Sequence, residues 1–363
     1  MDMKDIREAP TINEAVSSGK DGISNVFNFD VIDGREGSGS ASKAVVMVPG
    51  RYLKELFDEV KNNPNTSYVT CVNDLILNST WEEFQNFPVP VFVKEVRAGN
   101  TDFGHNEVMF SRMANTFGLK TVFCFPLNGD YSLVASVNVP KNLEDSNINN
   151  PGGGLKSEQI VSINDFIDDK GESGPRRNSS LEEWLWYFKD ALKKHPETRN
   201  IPKEQIYDIV SDIVFEYFIR KYVFNDRDYW GINSILMHSG DFENLRHGPS
   251  MDYEFCNGIT PNKEAEAVHK SSFEVIRDRD IAILMDPNIC PPEIRDRVVL
   301  SIKNTLRTRF PEINQILETH SKDKNSKDAT IDLMMTSISE LGGLIAKWDN
   351  VYNNSSNEMG DGN

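Results

Sequence analysis

The sequence predicts an α+β protein with two lobes, a β-rich N-terminal lobe that contains one key helix and an all-α C-terminal lobe. Strand-like segments outnumber helical patterns in residues 28–140, whereas helical patterns dominate residues 181–350. A length of 363 residues also exceeds that of one small domain. The predicted divisions are a flexible lead-in at 1–27, the first lobe at 28–140, a connecting loop or insert at 141–180, the second lobe at 181–350 and a disordered tail at 351–363.

The composition argues against a membrane-spanning protein and against one secreted by a signal peptide. Hydrophobic residues make up 38% of the chain and charged residues 26%, which is typical of a chain with a substantial core. No apolar run approaches the roughly 18–20 residues of a membrane span, and the first residues lack the apolar core of a signal peptide. We therefore expect a cytoplasmic protein that does not enter a membrane, with secretion by a non-classical route left open.

The net charge and the cysteines argue against two further kinds of protein, nucleic-acid-binding proteins and zinc proteins. A formal net charge of −17 repels nucleic-acid phosphates, so direct binding to nucleic acid is not expected. The four cysteines are scattered and show none of the spacings of a zinc site, which predicts free thiols in a reducing compartment.

The first lobe begins with a strand, a Gly-rich turn and a second strand. Residues 26–32 alternate between apolar and polar, residues 33–43 are rich in glycine and serine, and residues 44–48 are apolar and β-branched. The backbone N–H groups of such a turn can contact phosphate oxygens. The segment is not a Walker loop, because it lacks G-K-[ST] and no helix follows at once. A flexible turn without a ligand is the competing interpretation.

A lysine and a glutamate stand out in the rest of this lobe. Lys94 lies among apolar neighbours in a strand predicted at 88–96, and Glu107 lies in the first turn of a helix predicted at 106–117. A lysine on a strand usually faces solvent, but a strand lysine paired with a helix glutamate is the ion pair that holds ATP phosphates in kinase folds. The other predicted elements are helices at 51–61 and 80–87 and strands at 121–126 and 131–139.

The second lobe is predicted to be helical. Ser180 caps a helix at 181–194, and Pro202 opens a long helix that continues to about residue 224 with an apolar stripe. A short amphipathic helix at 157–166 is predicted within the connecting segment. The remaining predicted helices lie at about 262–276, 292–308, 311–321 and 328–348.

The long helix leads into a polar loop that contains Asp228 and Asn233. A predicted hairpin, with strands at 235–237 and 249–253, brings Asp252 back beside them. Two oxygen ligands next to a free carboxylate are what Mg²⁺–ATP phosphoryl transfer needs. An Asp/Asn-rich surface turn is the competing interpretation, and the upstream lysine and glutamate favour the functional one.

With Lys94, Glu107, Asp228, Asn233 and Asp252 in this order, the chain resembles the HipA-like serine/threonine kinases, in the short form that lacks the N-terminal HipA subdomain. The match covers roughly residues 30–310. The resemblance implies a two-lobed protein-kinase-like fold and a phosphotransferase that uses ATP and Mg²⁺. It also implies a role for each residue. Lys94, positioned by Glu107, contacts the ATP phosphates. Asp228 orients or deprotonates the substrate hydroxyl, and Asn233 and Asp252 hold Mg²⁺.

The Gly-rich segment extends the resemblance. The family form G-x-x-x-K before a strand is matched at residues 39–43, and the family's P-x-x-D turn at 249–252. The resemblance assigns to ATP binding Gly37, Ser38, Gly39, Ser40 and Lys43. Some family members phosphorylate themselves on a serine of this segment, and the serines available here are Ser38, Ser40 and Ser42.

The catalytic loop departs from the family at one position. The family form is D-x-H-x-x-N, and Trp230 replaces the histidine. A tryptophan keeps one N–H donor but adds a large apolar ring that must be buried or stacked. We expect Trp230 to pack among the aromatic residues of 217–224 and 253–255 and to hold the loop by burial.

Three functions remain open. The preferred one is an active serine/threonine protein kinase with a protein substrate and, by the resemblance, an antitoxin-like partner. The second is a kinase for a small molecule or lipid, because the same residues serve those enzymes. The third is a non-catalytic nucleotide-binding pseudokinase, against which the retention of Asp228, Asn233 and Asp252 argues. The first two are not separated, because no substrate-recognition segment is identifiable.

Overall fold

Strands and helices are both present in the structure, which confirms the predicted α+β class. The computed structural model describes residues 31–35, 43–96, 101–127, 129–137, 158–167, 179–226, 229, 234–239, 245–256, 279–287 and 289–358. The chain divides into two compact units. The first comprises Met1–Ile160 with Gly248–Glu254, and the second comprises Val161–His247 with Phe255–Asn363.

A five-stranded antiparallel sheet in the order β1-β2-β3-β5-β4 organises the first unit. The first strand continues to Arg35, so residues 33–35 belong to a strand and not to the predicted Gly-rich turn, while residues 26–30 lie outside the described residues. The strands are β1 (Val31–Arg35), β2 (Lys43–Pro49), β3 (Pro88–Glu95), β4 (Cys124–Leu127) and β5 (Asp130–Val137).

The helices of the first unit follow the predicted order with one addition. A 3₁₀ turn at Gly50–Leu53 leads into the first helix, and the second helix was not predicted. The apolar side of β3 (Val89, Val91 and Val93) is fully buried in a core that includes Leu56 of the first helix. The helices are α1 (Lys54–Asn62), α2 (Asn73–Asn78), α3 (Trp81–Phe84) and α4 (Thr101–Phe117).

Helix α4 begins at Thr101, five residues before the predicted start, and is buried on nearly all sides, although its apolar residues 109, 110, 113, 114 and 117 lie on one face. Its polar residues are tolerated inside because they find partners. Ser111 Oγ donates to the carbonyl oxygen of Val122 at 2.6 Å. Arg112 donates to the carbonyl oxygen of Cys124 and to the carboxylate of Glu55, both at 3.0 Å. The helix is therefore fixed within the unit by directional contacts as well as by apolar packing.

Replacement of Gly104 by alanine is expected to lower the free energy of unfolding by about 1–3 kcal/mol, because the added methyl group would overlap the carbonyl oxygen of Tyr131 on β5. Gly343 is the matched control, since a methyl group there meets no atom within 4 Å and alanine is the better helix former. Urea unfolding of both variants checks this. A Gly104→Ala protein as stable as the wild type would contradict the close approach.

The second unit contains strands β7 and β8 of a three-stranded sheet in the order β6-β7-β8, so it is not all-α. Strand β6 (Glu158–Ser162) and helix α5 (Ile163–Ile167) replace the single helix predicted at 157–166. The outgoing strand of the predicted hairpin is confirmed as β7 (Ile235–Ser239). Its partner is β8 (Arg246–His247), and not the predicted segment 249–253.

Helices make up most of the second unit. A capping box at Ser180 opens the helix predicted at 181–194, as expected. The long helix predicted to reach residue 224 ends at Phe218 and continues as one π-helical turn, Ile219–Val223. A second π turn, Thr305–Arg309, joins two later helices. The helices are α6 (Leu181–Lys194), α7 (Lys203–Phe218), α8 (Pro292–Asn304), α9 (Phe310–His320) and α10 (Lys324–Glu358), with helical residues also at 279–285.

Of two predictions in the C-terminal part of the chain, one differs from the structure and the other is not tested by it. Helix α10 extends to Glu358, so the disordered tail predicted from residue 351 is wrong for its first part. The helix predicted at 262–276 lies outside the described residues. Within the described ranges, no helix combines the length and the apolar character needed to cross a membrane.

Candidate active site

Lys94 lies near the end of β3, on the side of the strand opposite to the buried Val93. Its side chain is only 12% exposed, so its charge requires nearby partners. The ammonium nitrogen lies 3.2 Å from Glu107 Oε2, 2.9 Å from Asp252 Oδ1 and 3.0 Å from Glu254 Oε1. The predicted contact between Lys94 and Glu107 is therefore confirmed.

Glu107 is delivered to this point by the second turn of α4. Its side chain is 5% exposed, and the oxygen that contacts Lys94 also accepts a hydrogen bond from the backbone N–H of Tyr253 at 2.8 Å. The neighbouring Asn106 donates from its side chain to the carbonyl oxygen of Glu254 at 3.1 Å. Two consecutive residues of α4 thus fasten the segment that contains Asp252.

The segment around Asp252 is also held from its N-terminal side. The backbone N–H of Ser250 donates to the carbonyl oxygen of Lys120 at 2.8 Å, and Thr121 Oγ1 donates to the carbonyl oxygen of Ser250 at 3.1 Å. Asp252 has a φ of 66°, a left-handed conformation that is uncommon for a residue other than glycine. Such a conformation persists only where the surroundings fix it, and it is frequent at ligand sites.

The cluster carries more negative than positive charge, because three carboxylates surround one ammonium. Burial opposes the charge of Lys94, but the carboxylates of Asp252, Glu107 and Glu254 outweigh it and raise the pKa of Lys94 well above its usual value. Burial raises the pKa of Glu107 to about 7 against the opposing effect of Lys94, and the carboxylates of Asp252 and Glu254 add to the rise. An additional cation would relieve this imbalance.

The ligand atoms present fit a hard divalent cation. Glu107, Asp252 and Glu254 each offer one carboxylate oxygen, and these oxygens lie within 4.8 Å of one another. Oxygen-only ligands are what Mg²⁺ prefers. The Asp252 side chain is 42% exposed, against 5% for Glu107 and 6% for Glu254, so it is the carboxylate that an arriving cation can reach most easily.

The raised pKa of Glu107 predicts a pH effect on stability. Because the folded state holds this proton more tightly than the unfolded state, the contribution of Glu107 to stability is fully present below about pH 4.5 and is lost as the pH rises through about 7. We therefore expect the unfolding free energy of the wild type, minus that of Glu107→Gln, to decrease as the pH is raised from 5 to 7. Urea unfolding at several pH values measures it, and a difference that rises over this interval would contradict the assigned shift.

Glu254 was missed in the sequence although it takes part in the cluster. The pattern Asp252-Tyr253-Glu254, with one acidic residue on each side of an aromatic one, could have indicated Glu254. Asp252 has a φ of 66°, so this segment is not a regular strand, and it is the contacts of both acidic side chains with Lys94 that place them on one side. Tyr253 is fully buried, which is consistent with both acidic side chains turning the other way.

In the second unit, the described residues include both ends of the loop that contains Asp228 and Asn233. Arg220, on the π turn after α7, is fully buried and donates from Nε to Asp226 Oδ2 at 2.7 Å. The backbone N–H of Asp226 donates to the carbonyl oxygen of Arg220 at 2.9 Å. Asn225, between them, has a φ of 51° and so turns the chain sharply. The loop therefore begins at a buried ion pair.

Tyr229 is an aromatic anchor within the loop itself. Its ring stacks on Trp184 of α6 with centroids 5.6 Å apart, and the Arg220 guanidinium lies 4.8 Å from its centroid. Tyr229 is 1% exposed. The sequence predicts this role for Trp230, which lies outside the described residues, so that expectation stays a prediction.

The far end of the loop is fixed by a second buried polar cluster. Ser234 Oγ donates to Glu216 Oε2 at 2.5 Å, and His247 Nε2 on β8 lies 2.8 Å from the same oxygen. Burial acts to raise the pKa of Glu216, but the hydrogen bond with His247 and the charge of Arg220 outweigh it, and the pKa is lowered. Glu216 therefore stays charged and holds both the loop end and the hairpin.

The remaining predicted site residues are Lys43, which the structure describes, and seven residues outside the described part of the chain. Lys43 lies on β2 directly opposite Lys94 on β3 in the strand register. The predicted residues outside the described part of the chain are Gly37, Ser38, Gly39, Ser40, Ser42, Asp228 and Asn233.

Comparison with known proteins gives structural neighbours only. No family model and no curated protein matches the sequence. A structure of the proinflammatory kinase CtkA of Helicobacter pylori is similar with a TM-score of 0.48 and 12% identity, covering 73% of this chain and 92% of that chain. The HipA–HipB toxin–antitoxin complex of Shewanella oneidensis MR-1 with operator DNA is similar with a TM-score of 0.46 and 14% identity, covering 72% of this chain and 60% of that chain.

HipA and another kinase are thus among the structures similar to this chain, as the sequence predicts. Because both TM-scores are below 0.5, the function proposed below rests on the contacts of the described residues.

Proposed function

We propose that this chain is a phosphotransferase that uses ATP and Mg²⁺, and specifically a serine/threonine protein kinase of the HipA-like type. The observation that supports this most strongly is Lys94, whose buried ammonium lies between Glu107 of α4 and Asp252. A lysine held by a helix glutamate beside a metal-binding aspartate is the arrangement by which kinase folds bind ATP phosphates.

Each residue has a role in the proposed reaction. Lys94 contacts phosphate oxygens of ATP, and Glu107 keeps the ammonium in place. Asp252 binds Mg²⁺ together with Asn233, and Lys43 and the Gly-rich segment contact the phosphates. Bound Mg²⁺ would neutralise charge on the phosphate oxygens.

Asp228 is proposed to act on the acceptor. It orients the substrate hydroxyl and accepts its proton while the hydroxyl oxygen bonds to the γ-phosphorus and the bond to the ADP oxygen breaks. The contacts of Asp226, Tyr229 and Ser234 support this role, because they fix residues on both sides of Asp228 in the sequence. A catalytic group has to be held in position to act on its substrate.

The acceptor is proposed to be a serine or threonine of a protein. Ser38, Ser40 and Ser42 of the chain's own Gly-rich segment are candidate autophosphorylation sites. An antitoxin-like protein is the proposed partner, in line with the HipB protein that accompanies the similar HipA structure. Direct contact with nucleic acid is not part of the proposal, because the chain carries a net charge of −17.

The test is incubation of the purified protein with γ-labelled ATP and Mg²⁺, followed by mass spectrometry. We expect phosphate on a serine of the chain, and we expect EDTA or Asp252→Ala to remove it. Asp58→Ala is the matched control, because Asp58 is half exposed and pairs only locally with Lys54. Labelling that persists in EDTA or in Asp252→Ala would contradict the proposed site. ATP turnover without labelling of any protein would favour the small-molecule or lipid alternative.

A further inference from the structure

Lys94 contacts a second buried glutamate in addition to the one on α4. Glu254 Oε1 lies 3.0 Å from the ammonium, and the Glu254 side chain is 6% exposed. Glu107 contacts the same ammonium at 3.2 Å from another part of the chain. Besides Asp252, Lys94 is thus held by two glutamates that come from separate parts of the chain.

The backbone at Glu254 is hydrogen-bonded to α4. Its carbonyl oxygen accepts a hydrogen bond from the Asn106 side chain, and the preceding N–H, of Tyr253, donates to Glu107. Asn106 itself is 5% exposed. These contacts hold the backbone of Glu254 against α4 and so keep its carboxylate within reach of Lys94.

We propose that Glu254 is a second lysine-positioning residue, which holds Lys94 in place for the ATP phosphates alongside Glu107. The role of Glu254 in ATP binding rests on the proposed function, whereas its contact with Lys94 does not. Among the three carboxylates that could face a cation, Glu254 is assigned to the lysine because its oxygen lies 3.0 Å from the ammonium and its side chain is almost completely buried, whereas Asp252 is 42% exposed. A charged group inside a protein is stable only when it is paired, and Lys94 is the cation beside it.

Chemical labelling of Lys94 tests the contact without requiring ATP or activity. Only the neutral amine reacts with acetic anhydride, so carboxylates that stabilise the ammonium slow the reaction. We expect Glu254→Gln to accelerate acetylation of Lys94 by about tenfold, which corresponds to one pKa unit. Glu55→Gln is the matched control, because Glu55 pairs with Arg112 and not with Lys94. Mass spectrometry gives the rate at Lys94, with the half-exposed Lys54 as the internal reference.

An unchanged rate at Lys94 in Glu254→Gln would overturn the proposal. If that variant proves unfolded, Glu254→Asp replaces it. The aspartate keeps the charge but is one methylene shorter, so we expect an acceleration smaller than tenfold, and none at all would again overturn the proposal.

Transfer kinetics test the consequence. If either glutamate can hold Lys94, Glu107→Gln and Glu254→Gln should each lower kcat/KM for ATP by less than about tenfold, while the double variant should lose more than the product of the two. Losses that simply multiply would contradict a shared role. Absence of transfer in the wild type, combined with faster labelling in Glu254→Gln, would reject the proposed function and leave the lysine contact intact.

Discussion

Replacement of Lys94 by arginine is expected to lower ATP-dependent transfer by about 10²–10³-fold or more while the protein stays folded. Arginine keeps the positive charge that three carboxylates require, so the cluster does not lose its counter-charge. The planar guanidinium is larger than an ammonium and distributes its donors differently, so it cannot occupy the same point between Glu107 and Asp252. The reduction should therefore appear in activity and not in stability.

Two measurements separate these effects. Steady-state transfer with γ-labelled ATP gives the activity, and thermal unfolding gives the stability of the same preparation. Lys54→Arg is the control, because Lys54 is half exposed and pairs with Asp58 on the surface of α1. A Lys94→Arg protein with nearly wild-type transfer would show that this lysine does not contact the phosphates.

Replacement of Arg220 by methionine is expected to lower the free energy of unfolding by about 3–5 kcal/mol, because it leaves buried carboxylates without their cation. Arg220 is fully buried, contacts Asp226 at 2.7 Å and lies 3.8 Å from Glu216. Tyr229 would also lose the guanidinium that lies over its ring. Since Asp226 and Tyr229 flank Asp228 in the sequence, we also expect a loss of transfer.

The control for this change is Arg279→Met. Arg279 pairs with Glu182 at 2.5 Å, and both side chains are about half exposed. An ion pair that solvent reaches contributes about 0–1 kcal/mol. Urea unfolding of both variants should therefore show a large effect at Arg220 and a small one at Arg279. Equal effects would contradict the importance assigned to the buried pair.

The sequence predicts the Lys94–Glu107 pair because each residue lies within a strongly patterned element. A single lysine among the apolar residues of β3 requires a partner, and the next helix presents a glutamate in its N-terminal part. The five strands follow from the same alternation. Local patterns of this kind determine both the element and the side that a residue occupies.

The remaining contacts depend on long-range packing. Glu254 meets Lys94 across 160 positions of sequence, and hydrogen bonds that hold its segment to α4 and to residues 120–121 bring them together. The return strand Arg246–His247 was missed because a two-residue strand has no periodicity of its own. The π turn at Ile219–Val223 was missed because its apolar pattern continues that of α7. Such features follow from the assembled unit and not from any local segment.

Isothermal titration calorimetry of ATP binding, with and without Mg²⁺, tests most directly the claim that Lys94, Glu107 and Asp252 form a metal–nucleotide site. The wild type should bind one ATP per chain in the presence of Mg²⁺, and binding should weaken greatly when Mg²⁺ is removed or when Asp252 is replaced by alanine. The Asp58→Ala control should bind as the wild type does. A wild-type protein that binds no ATP with Mg²⁺, or an Asp252→Ala protein that binds it equally well, would contradict the account.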